Sequence, residues 1–293
     1  MSVYCWRKFF GWLPDDIYLK GMYYLKMKRG LDLKNPVRFS EKLQWLKLYD
    51  RNPRYTSMVD KAEAKDVAAS IIGDSYIIKT LGVWDNFDDI DFEKLPEKFV
   101  LKTTHGGGGN DVLICRDRSI LDVPAVKRKF QKAMKKDLYK RYREWPYKNV
   151  RKRIIAEELL ETEDGSALND YKFFCFDGEP EYMLVSSGRF KGKTCFDYYD
   201  IDFNPLPFSQ GGPRSGSTFA KPGNYDLMLE IARKLSKGIP HVRIDLYEHK
   251  GKVYFGEFTF FDSSGFKRFS PEEWDRKIGD LCRLPEKYQS TGG

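Results

Sequence analysis

The sequence predicts an α+β fold of two lobes preceded by a helical segment. Three observations carry that expectation. Strand-like and helix-like runs are mixed along the 293 residues without the regular strand–helix–strand alternation of a parallel sheet. Short alternating runs come in pairs around glycine turns, at Asp177-Gly178 and again at Lys250-Gly251, as antiparallel hairpins do. The first fifty or so residues instead repeat apolar side chains at helical spacing.

Taken in order, residues 1–58 form the helical segment. Trp6, Phe9, Phe10, Trp12, Leu13, Ile17, Leu19, Met22, Tyr23, Leu25 and Met27 are interleaved with Arg7, Lys8, Lys20, Lys26, Lys28 and Arg29. Such a face either packs as a layer on the body of the protein or rests on a membrane surface. Pro36 precedes a further helix over residues 39–49, capped by Ser40 or Asn35. A helical pattern over Asp60 to Ile72 stops at Gly73, and residues 76–78 and 83–84 read as short strands. A strand over residues 99–104 runs into His105 and four glycines, and a second strand resumes at Val112. Residues 124–144 read as one strongly basic helix entered at Pro124. Strands follow at 153–160, 171–176 and 181–185, with an acidic turn at Glu163-Asp164-Gly165. Residues 204–223, rich in Pro, Gly and Ser, read as a long functional loop. A helix over 226–237 leads to the last hairpin, and Ser290 onward reads as a disordered tail.

Composition excludes several classes of function. Twenty-one Phe, 18 Tyr and 6 Trp argue for a packed core rather than disorder. Five cysteines without a CxxC pair favour reduced thiols in a cytoplasmic protein, with Cys175 and Cys195 on strands as core residues. Three scattered histidines do not make a zinc site. No apolar run is long enough to span a bilayer, and no signal-peptide pattern is present. The formal charge of +8 points to anionic small substrates or a membrane face, since no nucleic-acid-binding module is recognisable.

The chemistry-bearing residues fall in two places. In the last hairpin Asp245 and Glu257 are expected side by side, with Arg243 on the face of Asp245. Two carboxylates and an arginine suit Mg²⁺ bridging a nucleotide triphosphate. Lys102, at the end of its strand, reaches toward phosphates that Gly106, Gly107, Gly108 and Gly109 allow the backbone to approach. The run is neither a Walker loop nor a Rossmann fingerprint, because no Gly-Lys-Ser/Thr follows and no helix comes next.

These elements, in this order, resemble an ATP-grasp enzyme. Lys61, Lys102 with its glycine loop, Glu157-Glu158-Leu159-Leu160, Asp170-Tyr171-Lys172 and Arg243-x-Asp245…Glu257-x-Thr259 carry the likeness. Leu13-Pro14-Asp15, residues 39–45, Val59-Asp60-Lys61, residues 95–102 and residues 170–178 resemble more narrowly the TupA-like branch. That branch is named for teichuronopeptide synthesis and is common in polysaccharide gene clusters. The likeness extends over roughly residues 13 to 285.

The resemblance implies an ATP-grasp domain over 59–290 with a nucleotide-gripping part at about 74–160 and a metal and substrate lobe at about 161–285. Lys61, Lys102 and the glycines would hold the phosphates of ATP, and His105, which abuts the glycine loop, would either touch phosphate or pack. The carbonyl of Glu158 and N–H of Leu160 would read adenine with Glu157 nearby, and Glu161 or Asp164 would take the ribose. Asp245 and Glu257 would bind Mg²⁺. Thr259 stands where the family usually has Asn, with Asp262 as a substitute third ligand. Arg243 would stabilise an acyl phosphate, with Lys172 and Asp170 beside it as catalytic residues. Ser263, Ser264 and Gly265 resemble the loop whose main-chain N–H groups hold the acceptor or the acyl phosphate. Apart from the resemblance, Arg189 and Arg214 lie on loops where each would clamp a carboxylate or sugar phosphate bidentately. The implied reaction is ATP-dependent ligation of a carboxylate to an amine, the partners being a uronic acid or amino acid and an amine in surface-polysaccharide assembly. A competing reading is a metal-dependent glycosyltransferase using Asp200 and Asp202 as a DxD motif. The expected location is cytoplasmic, with the basic N-terminal segment touching the inner membrane face.

Overall fold

A computed structural model describes residues 2–107, 111–162, 168–188 and 194–287. Gly108, Gly109, Asp164 and Arg189 lie outside the described residues, as do the turn at 163–165 and the tail from Ser290.

Five helices open the chain: α1 (Val3–Phe9), α2 (Asp15–Met27), α3 (Phe39–Tyr49), α4 (Arg54–Val59) and α5 (Glu63–Ile72). The start of α3 differs from expectation. Its N-cap is Arg38, and Glu41 reaches back to accept from the N–H groups of Val37 and Arg38 at 3.1 and 3.0 Å. Ser40 lies inside the helix, and its backbone N–H and hydroxyl both donate to the carboxylate of Asp275. A glutamate at the third helical position satisfies the orphan N–H groups without a capping serine.

The first sheet has the order β1-β4-β2-β3, all antiparallel, from β1 (Thr80–Trp84), β2 (Phe99–Thr103), β3 (Val112–Cys115) and β4 (Ile154–Glu158). Alternation along β2 buries Phe99, Leu101 and Thr103. Phe99 and Leu101 pack with Phe130 of α6 (Val123–Met134) in the core of this lobe. The expected single basic helix over 124–144 is two. α6 ends at Met134, and Asp137 restarts the chain as the N-cap of α7 (Leu138–Tyr142), accepting from the N–H of Lys140 at 2.8 Å. An aspartate that bonds the backbone of the next turn interrupts a helix it would otherwise sit within.

The second sheet has the order β10-β9-β5-β6-β7 and is also antiparallel, from β5 (Asp170–Phe176), β6 (Glu179–Ser187), β7 (Cys195–Asp200), β9 (His241–His249) and β10 (Lys252–Thr259). A two-stranded pair joins β8 (Ser209–Gln210) to β11 (Phe269–Ser270). Both hairpin turns have two central residues at positive φ, Asp177 and Gly178 at 51° and 88°, Lys250 and Gly251 at 50° and 73°. That geometry matches the twist of paired strands. Helix α8 (Tyr225–Ser236) packs on one face of this sheet, and α9 (Trp274–Leu281) packs against α3. Phe39, Leu43, Leu46, Met58 and Ala68 of the opening helices share one core with Phe173, Ile244 and Phe258 of the sheet. Each such large side chain contributes about 1.5–3 kcal/mol by burial. Among the described residues no helix is long and apolar enough to cross a membrane.

Candidate functional site

The last hairpin creates the site through an irregularity. From Lys252↔His249 to Phe255↔Leu246 the register is regular, but Glu257 then pairs with Asp245 because Gly256 is skipped. In an unbroken register Asp245 would face Gly256, and Glu257 would pair with Ile244 on the other side of the sheet. One extra residue moves Glu257 and Thr259 onto the face of Arg243 and Asp245. Only glycine fits there: a Cβ on Gly256 would lie 2.8 Å from the Tyr247 ring and 3.0 Å from the Asp245 carbonyl oxygen.

Arg243 organises this face. Its Nε and Nη2 donate to both oxygens of Asp245 at 2.7 and 2.8 Å, Nη2 also to Thr259 Oγ1 at 3.0 Å, and Nη1 to Asp262. Glu257 Oε1 lies 3.5 Å from Nη2 and accepts from the Thr259 hydroxyl at 3.4 Å. Lys172, from the neighbouring strand β5, donates to Asp245 and stands 3.3 Å from Asp170. Burial raises the Asp245 carboxyl above its usual range against the pull of Arg243 and Lys172. Burial acts the same way on Glu257, but Lys61, Arg243 and Lys172 overcome it and hold that carboxyl down to about 2. The Arg243 guanidinium is raised, the carboxylates of Asp245 and Asp262 outweighing its burial.

Lys61 connects the two lobes. Its ammonium donates to the Gly106 carbonyl at 2.5 Å and stands 3.8 Å from Glu257, while its N–H bonds the Thr104 carbonyl at 3.0 Å. In the first sheet Lys102 pairs with Glu157, whose other oxygen is 2.9 Å from Lys65. The two lysines hold this buried carboxyl below its usual range despite desolvation. Gly106 needs its missing side chain, since a Cβ would fall 2.3 Å from Thr103 Oγ1. Leu159 and Leu160 follow β4 without regular structure.

Ser263, Ser264 and Gly265 form a left-handed turn, with φ of 49°, 57° and 67°. The Ser264 N–H donates to Phe261 O at 2.8 Å, so it is not available to an acceptor, contrary to expectation. Helix α3 holds the turn. Gln44 Nε2 donates to the carbonyls of Ser264 and Gly265 at 3.1 and 3.2 Å, and Lys47 Nζ to Ser264 O at 2.7 Å. The Ser264 hydroxyl donates to Glu144. Lys47 and Glu144 are both buried. Desolvation lowers the lysine to about 7 and raises the glutamate above its usual value. Neither residue was expected at the site. The available signal was a lysine four residues after Leu43, on the apolar stripe of its helix.

Other expected residues are placed elsewhere. Glu161 is engaged by Lys98 at 2.7 Å and Arg116 at 3.1 Å. Arg214 lies 3.8 Å from Asp197. Asp197 pairs with Val185, while its neighbour Tyr198 pairs with Leu184 in line with Lys172 and Asp245. Alternation therefore puts Asp197, and Arg214 with it, across the sheet from the carboxylates. Asp200 serves its own turn, accepting from the N–H groups of Asp202 and Asn204 at 3.0 and 2.8 Å and from Asn204 Nδ2 at 3.0 Å. It ends the edge strand farthest from Glu257, so the DxD tripeptide is a turn motif.

A family model described as TupA-like ATP-grasp matches residues 41–283. The chain belongs to the TupA-like ATP-grasp family. Its architecture is the ATP-grasp fold, which replaces the glycosyltransferase alternative. Among curated proteins none matches the sequence. Among solved structures the chain is similar to D-alanine–D-alanine ligase from Bacillus anthracis complexed with ATP, at 13% identity over 69% of this chain and 53% of that one, TM-score 0.40. It is also similar to the D-cycloserine synthetase DcsG, at 15% identity over 78% and 71%, TM-score 0.41. N5-carboxyaminoimidazole ribonucleotide synthetase in its ADP complex aligns at 12% identity over 94% and 66%, TM-score 0.45. The chain spans about half the length of the first of these.

The donor set fits a magnesium-nucleotide site. Among the described residues no group of three or more His, Cys, Asp or Glu is arranged to hold a metal alone. Mg²⁺ does not require one, since it takes one or two carboxylates and completes its shell with phosphate oxygens and water. Asp245 and Glu257 supply the carboxylates, the Thr259 hydroxyl lies between Glu257 and Arg243, and Asp262 is held by Arg243.

Proposed function

We propose that this protein is an ATP-dependent carboxylate–amine ligase. In the proposed reaction a substrate carboxylate attacks the γ-phosphate of ATP, forming an acyl phosphate and releasing ADP. The amine then displaces phosphate to give the amide. The observation that carries the reading is the bulge at Gly256, which sets Asp245, Glu257, Thr259 and Arg243 on one face of the sheet beside Lys61.

In this reading Asp245 and Glu257 hold Mg²⁺, which supplies charge neutralisation along the phosphate chain. Lys61, between the glycine loop and Glu257, and Lys102 neutralise the phosphates. Arg243, whose guanidinium is held by Asp245, Asp262 and Thr259, sets its positive charge beside the transferring phosphoryl group. Lys172 and Asp170 keep Asp245 oriented. Glu158 and Leu160 offer backbone groups to adenine where β4 ends. The turn at Ser263–Gly265, locked by Gln44 and Lys47, offers a rigid wall to the acceptor.

The acceptor is a uronic acid or amino acid of a surface polysaccharide, which the TupA-like assignment supports. The site works in the cytoplasm. Exposed Tyr4, Phe9, Trp12 and Tyr24, with Lys8, Lys20 and Lys28, suit peripheral contact with the inner membrane face. The test is Mg-dependent ADP release from purified protein offered pooled uronic acids and amino acids. ADP formation that requires both a carboxylate and an amine is the expected result. Turnover without either, or none with any pool, defeats the reading.

A further inference from the structure

Several cations gather beside α1. A cleft of about 470 Å³ between α1 and α7 is lined by Tyr4, Arg7, Lys8, Lys136, Lys140 and Arg141, with a single acid, Asp137. That acid already caps α7 and stands 3.9 Å from Lys140 Nζ, and Lys136 pairs with Asp111. Arg7, Lys8 and Arg141 have no carboxylate partner among the described residues. Arg7, Lys26 and Arg141 instead crowd one ring, that of Tyr142, at 5.7, 5.8 and 5.1 Å from its centroid. Arg141 Nε is buried without a hydrogen-bond partner among the described residues. The Lys26 ammonium is driven below its usual pKa, first by burial and then by Arg7 and Arg141. Cations crowded in this way repel one another unless an anion is bound among them.

A narrower recess of about 40 Å³ shares Lys136, Asp137 and Leu138 with the cleft and adds Lys148, Lys152 and Tyr147. A Cβ on Gly107 of the glycine loop would lie 3.2 Å from Leu138. Cations thus line both recesses, and Leu138 brings them beside the glycine loop.

We infer that this cleft binds the diphosphate of a glycosyl-diphosphate substrate whose sugar bears the carboxylate. Two arginines able to present bidentate forks, and two exposed lysines beside them, match a group carrying several charges on adjacent phosphates better than a lone carboxylate. The inference rests on the ligase reading for the sugar carboxylate, but not for the diphosphate itself. A nucleoside diphosphate and a lipid diphosphate share this chemistry.

Calorimetric titration distinguishes the cases. Uridine diphosphate, UDP-glucuronic acid, geranyl diphosphate and free glucuronic acid are titrated into the full chain with the nucleotide site saturated by a magnesium complex of a non-hydrolysable ATP analogue. Both kinds of diphosphate ester should bind at least about tenfold tighter than free glucuronic acid. Preference for the uridine compounds assigns a soluble substrate, and preference for geranyl diphosphate a lipid-linked one. R7Q/R141Q should weaken diphosphate binding by about tenfold or more while leaving affinity for the ATP analogue unchanged. K8Q/K140Q changes only exposed side chains, so it tests the same point without risk to folding, with an expected loss of about threefold. Diphosphates that do not bind, or that bind both variants as they bind the parent, overturn the inference. A protein that binds diphosphate through these cations but not the ATP analogue supports the cleft and instead refutes the ligase reading.

Discussion

The two sheets carry charge centres of opposite design. In the four-stranded sheet one buried carboxylate, Glu157, stands between Lys65 and Lys102. In the five-stranded sheet four carboxylates, Asp170, Asp245, Glu257 and Asp262, surround Arg243, Lys172 and Lys61. The first centre has a cation in excess and the second an anion. A magnesium-nucleotide has the complementary pattern, with anionic phosphates and a divalent cation. The centres also differ in how they are held. Lys102 and Glu157 come from adjacent regular strands, whereas the second centre depends on a bulge that only glycine permits. Each centre carries one unbalanced charge, and the two differ in sign.

The largest effect is expected at the anionic centre. Glu257→Gln keeps shape and removes one charge, so Mg-dependent ADP formation should fall by about 100-fold or more. Arg243→Lys should act similarly, because an ammonium cannot replace the fork that spans Asp245. Asp200→Asn should retain full activity, and circular dichroism should show all three variants folded. An inactive Asp200 variant beside active Glu257 and Arg243 variants would reverse the assignment of the centre. Gly256→Val attacks the bulge rather than a ligand. Contact with the Asp245 carbonyl should cost roughly 1–3 kcal/mol in urea unfolding and abolish activity together with it. Stability lost with activity retained would show that the register there is not what places Glu257.

Smaller effects are expected at the cationic centre. Lys102→Ala should weaken ATP binding about 10- to 100-fold, as loss of a charge-assisted bond does, with the fold intact. Unchanged affinity by calorimetry would remove this lysine from the site. Glu157→Gln tests stability instead. The Glu157 carboxyl is held below its usual 4.5, so its contribution is full above that pH and is lost as pH falls toward the depressed folded value. Urea midpoints of the parent should therefore decline on acidification below about 4.5 more steeply than those of the variant. Parallel declines would mean that the two lysines do not grip this carboxylate.

Much of the site was legible because its parts are local. Arg243, Asp245, Glu257 and Thr259 belong to one hairpin whose turn is announced by Lys250-Gly251, and Lys102 precedes its glycines by four residues. The bulge was not legible. The spacing of 12 between Asp245 and Glu257 suggests a pairing, but the register between Tyr247 and Tyr254 would turn Glu257 away from Asp245. Periodicity likewise carried 124–144 as one helix, because a capping aspartate at 137 looks like any other polar residue on a basic helix.

By itself the sequence determined the α+β class, the two hairpins, the basic amphipathic opening and the family. Each of these depends on interactions between residues close along the chain or on motifs in order. Only the tertiary structure decided that Lys61 joins the glycine loop to Glu257, that Gln44 and Lys47 lock the turn at Ser264, that Glu161 and Arg214 are engaged away from the carboxylates, and that Arg7 and Arg141 share a cleft. Those contacts join segments as much as 220 residues apart. Hydrophobic burial drives them together without regard to direction, so which charges meet is set by how the helices and sheets pack.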